Sequence, residues 1–325
     1  MKPKLSKIIL KIIRTIAVIL PFIWILSKVQ PSKLIIAFKE VQWWAILLSL
    51  SIILLTMFLQ GLRWWILLRA FNKELSFTQS VSYHFKSIFY SLFLPSAAQD
   101  VVRTLFVVKK VGASVSWSTT WVCKITGLIV SFASSIYGLS LLSNSSISGT
   151  LFKAALVIIF LISVLVALSF SKKLTAPLRS VLIKIIPRQY LSKAENLREG
   201  IYQFKYKKKN IILTILITAT IQILLVTSAI LQIKGITGVL FTKECFAYIP
   251  LIEIISVAQP LTPNGMGVRE ALSAMMFTHL QISSEQLGVY ILIGNLVIMM
   301  KLIGAIPILY EMIGKSADRI RLLKG

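Results

Sequence analysis

The sequence predicts an all-α, polytopic membrane protein. Of its 325 residues 56% are hydrophobic, and the mean hydropathy is +0.82. The apolar residues also gather into uncharged runs close to the ~20 residues needed to cross the hydrocarbon of a bilayer. The expected architecture is a single integral domain over 1–325, with about six full spans plus two re-entrant hairpins of half-helices. Residues 1–150 and 151–325 would form two inverted repeats.

The first span is expected over 8–29. Its uncharged part, 15–27, is short, so Lys11, Arg14 and Lys28 must snorkel to the interfaces. A basic and then apolar start resembles a signal peptide. Ser27-Lys28-Val29-Gln30-Pro31 is a poor small-residue cleavage site, however, and the segment reads as a retained helix. Charge-free runs at 41–62, 125–152, 154–171 and 210–233 give further spans, and 287–310 another that carries Lys301 within it. Regions 77–111 and 246–285 are long enough for hairpins.

Charge sets the orientation. Lys2, Lys4, Lys7, Lys11 and Arg14 open the chain, and Lys315, Arg319, Arg321 and Lys324 close it. Residues 172–209 hold eleven Lys and Arg against Glu195 and Glu199, whereas the Ser-rich 143–150 has no charge. Both termini and a basic 172–209 loop are therefore expected in the cytoplasm of a cell-membrane protein. With Pro177 and Pro187 between apolar residues, 172–209 reads either as an amphipathic stretch on the membrane or as a solvated basic linker. The net charge of +25 sits in such loops, which points to anionic lipid head groups and not to nucleic acid. Cys123, Cys245, His84 and His279 have no metal-ligand spacing and imply neither a disulfide framework nor a metal or other cofactor. The two histidines read as polar packing residues.

On this reading each half runs helix, helix, hairpin, helix, the first starting inside and the second outside. Each hairpin is broken at its centre. Leu94-Pro95-Ser96-Ala97-Ala98-Gln99-Asp100-Val101-Val102-Arg103 and Pro260-Leu261-Thr262-Pro263-Asn264-Gly265-Met266-Gly267-Val268-Arg269-Glu270 both place proline, small polar residues and then charges in an apolar region. Such segments persist only where protein or a water-filled cavity surrounds them. Ser96 and Gln99 have capping-box spacing. Asp100 and Arg103, three apart, share a helix face and form either a fold-fixing ion pair or part of a site. Thr262 is the expected cap of the second half-helix and Pro263 its first residue, with Asn264, Gly265 and Gly267 permitting close approach and Arg269 and Glu270 following. Two half-helix N-termini with Arg103 and Arg269 suit a phosphate or other anionic head group. Lys124, Glu253 and Lys301 are further intramembrane ionisable residues whose cost, about 3 kcal/mol each, requires pairing or a polar cavity. Asn295 and Lys301 lie on different faces of one helix. Arg63-Trp64-Trp65 and Trp43-Trp44 read as interfacial belts.

The chain resembles a flippase-like membrane family that includes the transmembrane domain of lysylphosphatidylglycerol synthases, the membrane part of an archaeal glycosyltransferase and hopanoid-associated relatives. The resemblance covers nearly the whole chain. It rests on Leu62-Arg63-Trp64-Trp65-Ile66-Leu67-Leu68, on Phe93-Leu94-Pro95 through Arg103, on Trp121-Val122-Cys123-Lys124-Ile125-Thr126-Gly127-Leu128, and on Pro260 to Glu270. Ala98-Gln99 stand where the family usually has Gly-Gly, and Cys123-Lys124 where it commonly has Asp-Arg. The family's soluble aminoacyl-transfer domain is not expected, since the chain runs 15 residues past Tyr310. The resemblance implies a non-enzymatic carrier moving a polar or charged lipid (phospholipid, aminoacylated lipid or polyprenyl-linked lipid) between leaflets. Its expected partner is a lipid with an anionic or zwitterionic head group. Arg103 and Arg269 would hold the phosphate. Asp100, Glu253 and Glu270 would hold a cationic part or couple a proton, and Lys124 and Lys301 would balance charge. Rival readings are a membrane transferase on a lipid-linked substrate, for which no nucleotide or DxD motif is present, and a partner subunit of a separate synthase or glycosyltransferase.

Overall fold

The computed structural model describes residues 30–71, 75–94, 98–142, 188–258, 262 and 264–313, with the isolated Val157 and Val164. The spans expected over 8–29 and 154–171, the loop at 143–150, the Ser96 cap and the basic tail lie outside these residues. Among the described residues every regular element is helical. In chain order they are α1 (Pro31–Lys39), α2 (Trp43–Arg69), α3 (Phe77–Ser91), α4 (Ala98–Val111), α5 (Ala113–Leu141), α6 (Arg188–Gln203), α7 (Lys208–Thr237), α8 (Thr242–Ala258), α9 (Val268–His279) and α10 (Ser284–Met299). The last continues through a 3-10 segment, Met300–Ala305, to Ile313. Helices α2, α5, α7 and the Ser284–Ile313 unit are long and apolar enough to cross a membrane.

Packing is inside-out relative to a soluble bundle. Leu47, Leu54, Leu55, Ile212, Leu216 and Ile223 are exposed, whereas Ser49, Thr56, Thr218, Gln222, Ser228 and Gln232 are buried. Hydrocarbon accepts the apolar faces, and polar side chains turn inward to find partners. The inward faces are periodic. Ser49, Ile53, Thr56, Gln60 and Arg63 on α2 and Thr218, Gln222, Leu225, Ala229 and Gln232 on α7 each follow a 4-3-4-3 spacing, which keeps them on one helical face. The two stripes meet antiparallel. Gln42 N–H donates to Gly235 O at 2.8 Å, Gln232 Nε2 to Ser49 Oγ at 3.0 Å, Arg63 Nη1 to Thr218 Oγ1 at 3.1 Å and Asn210 Nδ2 to Ile66 O at 3.0 Å.

The order helix, hairpin, helix over α2, α3–α4 and α5 recurs over α7, α8–α9 and α10, and the leading helices of the two sets run in opposite directions. Each closing helix seats on the other set's hairpin through one glycine. A Cβ on Gly138 of α5 would lie 2.2 Å from Ala247 N of α8, and a Cβ on Gly304 beyond α10 would lie 2.1 Å from Phe85 O of α3. Only hydrogen at these positions lets the backbones approach so closely. Lys86 of α3 also pairs with Glu311 near the end of the same closing helix.

Several boundaries correct the expected ones. The helix expected over 125–152 occupies Ala113–Leu141, because several Ser and Thr hydroxyls of its first turns find partners within the protein. Ser116 Oγ donates to Thr104 O at 2.8 Å, and the hydroxyls of Thr104 and Thr120 bond at 2.7 Å. The helix expected over 41–62 runs on to Arg69, so Arg63 lies six residues, about 9 Å, inside its end. Trp64 is fully buried and not part of a belt; Trp43 and Trp44 are exposed at the helix start, as a belt position requires. The described part of 172–209 is tied to the bundle. Helix α6 packs on α5, Ser114 Oγ donating to Asn196 O at 2.6 Å. Phe204, just beyond α6, is fully buried among Trp64, Leu67, Leu68, Val107 and Val122, so burial of one large ring holds this segment to the bundle. His84 is buried with Nε2 3.1 Å from Met57 O, and Cys123 and Cys245 are free thiols.

Candidate functional site

Helix α4 opens at Ala98, which puts Asp100 in its first turn, where the N–H ends favour a carboxylate. One turn on, Arg103 donates from Nη2 to Asp100 Oδ1 at 2.8 Å. The other carboxylate oxygen accepts from Lys124 Nζ on α5 at 3.2 Å. One carboxylate therefore sits between two cations. The Arg103 guanidinium also lies 5.1 Å from the Trp64 ring centre, a cation–π distance. Arg63 approaches from α2. Nε of both Arg63 and Arg103 is buried without a hydrogen-bond partner among the described residues, so the cluster keeps unspent donors.

The second hairpin turns differently from the sequence expectation. Asn264, Gly265 and Gly267 have φ of 52°, 70° and 84°, values an α-helix does not accommodate. The half-helix therefore starts at Val268 with Gly267 as its cap, and neither Thr262 nor Pro263 begins it. Pro263 lies outside the described residues. Glu270 performs the capping, accepting from Gly267 N–H at 2.5 Å, and its other oxygen pairs with Arg269. Gly265 is pressed against Ser256 of α8, where a Cβ would lie 2.7 Å from Ser256 O.

The two tips meet. Asn264 Nδ2 donates to Ser91 O, at the end of α3, at 3.2 Å, and Asn264 Oδ1 accepts from Lys301 Nζ. Beside this junction lies a cavity of about 380 Å³, into which Gln99, Asp100, Arg103 and Asn264 project from the tips. Arg63, Lys124, Glu253, Lys301, Thr218 and Gln222 complete its polar wall. Four cations thus face two carboxylates. The Lys124 and Asp100 side chains keep 38% and 26% of their exposure, so the cavity is not sealed. Ser131 Oγ donates to Gln222 Oε1 at 2.6 Å, tying α5 to α7 across one wall.

A second cavity, about 150 Å³, adjoins it and is lined by Ser228, Gln232, Glu253, Arg269, Glu270, Ser273 and Tyr290 among others. Glu253 and Leu225 belong to both. Of the residues expected to act together, the larger cavity unites Asp100, Arg103, Lys124, Glu253, Asn264 and Lys301. Arg269 and Glu270 line the smaller one, and Gly265 and Gly267 shape the turn without lining either. The structure does not bring Arg269 to the larger cavity beside Arg103: it lines the smaller one, where Glu270 pairs with it.

The sequence profile of the lysylphosphatidylglycerol synthase TM region matches residues 8–304. The chain belongs to that family. No curated protein and no solved structure matches it. Membership places the chain among membrane proteins related to lipid modification or translocation, and each of the four motifs that carried the resemblance puts at least one residue on the larger cavity. Arg63 is the site residue the sequence reading missed. Its signal was the apolar stretch Ile66-Leu67-Leu68 after the tryptophans, which extends the helix and draws Arg63 inward. Lys301 was seen but its partner was not: Asn264 is 37 residues away in sequence.

Proposed function

We propose that this chain carries a polar or charged lipid between the leaflets of the cell membrane, with the anionic head group held in the larger cavity. One observation carries the reading: four cations and two carboxylates surround an unsealed cavity at the junction of two hairpin tips in a membrane bundle. Arg103 and Lys124 share the one Asp100 carboxylate, Arg63 bonds the neutral Thr218 hydroxyl, and two guanidinium Nε groups lack partners among the described residues. A phosphate supplies the missing negative charge, and arginine binds phosphate with planar, charge-assisted hydrogen bonds. Acyl chains stay against the apolar outer faces of α2 and α7. The antiparallel α2 and α7, each followed by a hairpin and a closing helix, are read as inverted repeats whose relative rocking exposes the cavity to one side and then the other. The basic loops put both termini in the cytoplasm.

The test is reconstitution in liposomes with labelled anionic and zwitterionic lipids, measuring transfer between leaflets. Loss of one charge-assisted hydrogen bond costs about 1.5–3 kcal/mol, so Arg103→Ala and Arg63→Gln should each slow transfer by roughly tenfold to a hundredfold. Unchanged transfer in both variants refutes the head-group assignment. A new lipid species in cells carrying the protein would instead point to chemistry on the lipid.

A further inference from the structure

Three carboxylates line the two cavities near their junction, and two of them are committed. Asp100 is held by Arg103 and Lys124. Glu270 caps Gly267 with one oxygen and pairs with Arg269 through the other. Glu253 makes neither a hydrogen bond nor an ion pair with any described residue, and it is the one ionisable side chain that lines both cavities.

The cavities follow one another along α7. Thr218, Gln222 and Leu225 face the larger, and Leu225, Ser228 and Gln232 face the smaller. At about 1.5 Å per residue, this stripe extends some 20 Å along the helix axis, most of the way across a bilayer core. The smaller cavity has room for about five waters at the liquid share of about 30 Å³ each, and its serine, glutamine, tyrosine and charged groups supply the two to four partners that a buried water needs. Its volume is under half that of its neighbour. Its one cation, Arg269, is already matched by Glu270, so it lacks the unmatched positive charge that suits the larger cavity to an anion.

From this geometry we infer that the smaller cavity is a water-filled proton passage and that Glu253 is its carrier, making the protein a proton-coupled transporter. A hydronium in the smaller cavity gives its excess proton to a Glu253 carboxylate oxygen and is left as water. The neutral acid then releases that proton to water in the larger cavity, and the carboxylate is regenerated. One proton enters and one leaves, with no other bond changed. The charges facing this step are Arg63, Asp100, Arg103, Lys124 and Lys301 on the larger side. On the smaller side they are Arg269 and Glu270, with the Tyr290 hydroxyl; α7 contributes only uncharged Thr, Gln and Ser. An anionic head group in the larger cavity offsets its cations and so favours the protonated, neutral form of Glu253, which couples the two movements. The inference rests on the lipid-transfer reading only for what the proton drives, since proton movement has its own readout.

The full chain is reconstituted in vesicles that trap a pH-sensitive dye, with a pH step imposed in either direction and the membrane potential clamped. Proton uptake should exceed that of protein-free vesicles. Glu253→Gln, which keeps size and polarity, should lower it by roughly a hundredfold or to the protein-free level, while Glu253→Asp retains a measurable part. In parallel vesicles with labelled anionic lipid, wild-type transfer should speed up under the gradient and Glu253→Gln transfer should ignore it. No proton uptake above protein-free vesicles, or full uptake by a folded, monodisperse Glu253→Gln protein, overturns the inference. Proton uptake without lipid transfer upholds the passage and instead refutes the carrier reading above.

Discussion

Alanine at the two seam glycines tests the packing that joins the two sets of helices. A methyl at Gly304 would stand 2.1 Å from Phe85 O, and one at Gly138 would stand 2.2 Å from Ala247 N. Ordinary contact begins near 3.4 Å, so the backbones must part by 1.3 and 1.2 Å respectively. The atoms struck belong to backbone, which has no rotamer to escape into. Overpacking of this kind costs typically about 3 kcal/mol at the upper end. Alanine returns up to about 1 kcal/mol of helix propensity, which leaves a net loss of about 2 kcal/mol at each site. Gly127, on the same helix as Gly138, is the internal control. A Cβ there finds only Arg63 Nη1, at 3.9 Å, so Gly127→Ala should be neutral or slightly stabilising. Thermal unfolding in mild detergent, followed by loss of the monodisperse peak, should fall by about 4–8 °C for Gly138→Ala and for Gly304→Ala, with Gly127→Ala at or above wild type. The seams share no partner residue, so the double variant should show nearly the sum of the two losses. If all three variants melt together, the glycine seams do not hold the halves as described.

Three further outcomes follow from particular contacts. Phe204→Ala removes a fully buried ring and should cost about 3–5 kcal/mol locally, freeing α6 from α5; limited trypsin digestion should then cut at Arg198 and Lys205 in the variant before it cuts the wild type. Asp100→Asn leaves Arg103 and Lys124 without their shared carboxylate, so inorganic phosphate should protect this variant against thermal unfolding more than it protects wild type; equal protection would argue against an anion site here. Asn264→Ala removes both the bond to Ser91 O and the acceptor for Lys301, and it should lower lipid transfer more than it lowers melting temperature; a loss confined to stability would reduce this junction to a structural role.

The features legible in the sequence are those that bilayer physics writes locally. Long uncharged runs mark α2, α5, α7 and α10, because each must bury its backbone polar groups within itself. The two proline-led polar breaks mark the hairpin tips, because no continuous membrane helix tolerates them at its centre. Asp100 with Arg103 was readable from a three-residue spacing. The capping of the second half-helix was not. Thr262 and Pro263 have the right chemistry for a start, but the left-handed Asn264, Gly265 and Gly267 turn moves it to Val268, and those angles follow from pressing the turn against Ser256.

What composition and order determined, then, is a helical membrane protein with two interrupted hairpins carrying charge. Which charges share a cavity was decided by helix rotation and by how far each helix runs past its apolar window, properties set through contacts between residues far apart in the chain. Arg63 entered the site because α2 continues to Arg69 and pairs with Thr218, 155 residues away. Arg269 lines the smaller cavity instead, where the neighbouring Glu270, fixed by the Gly267 cap, pairs with its guanidinium.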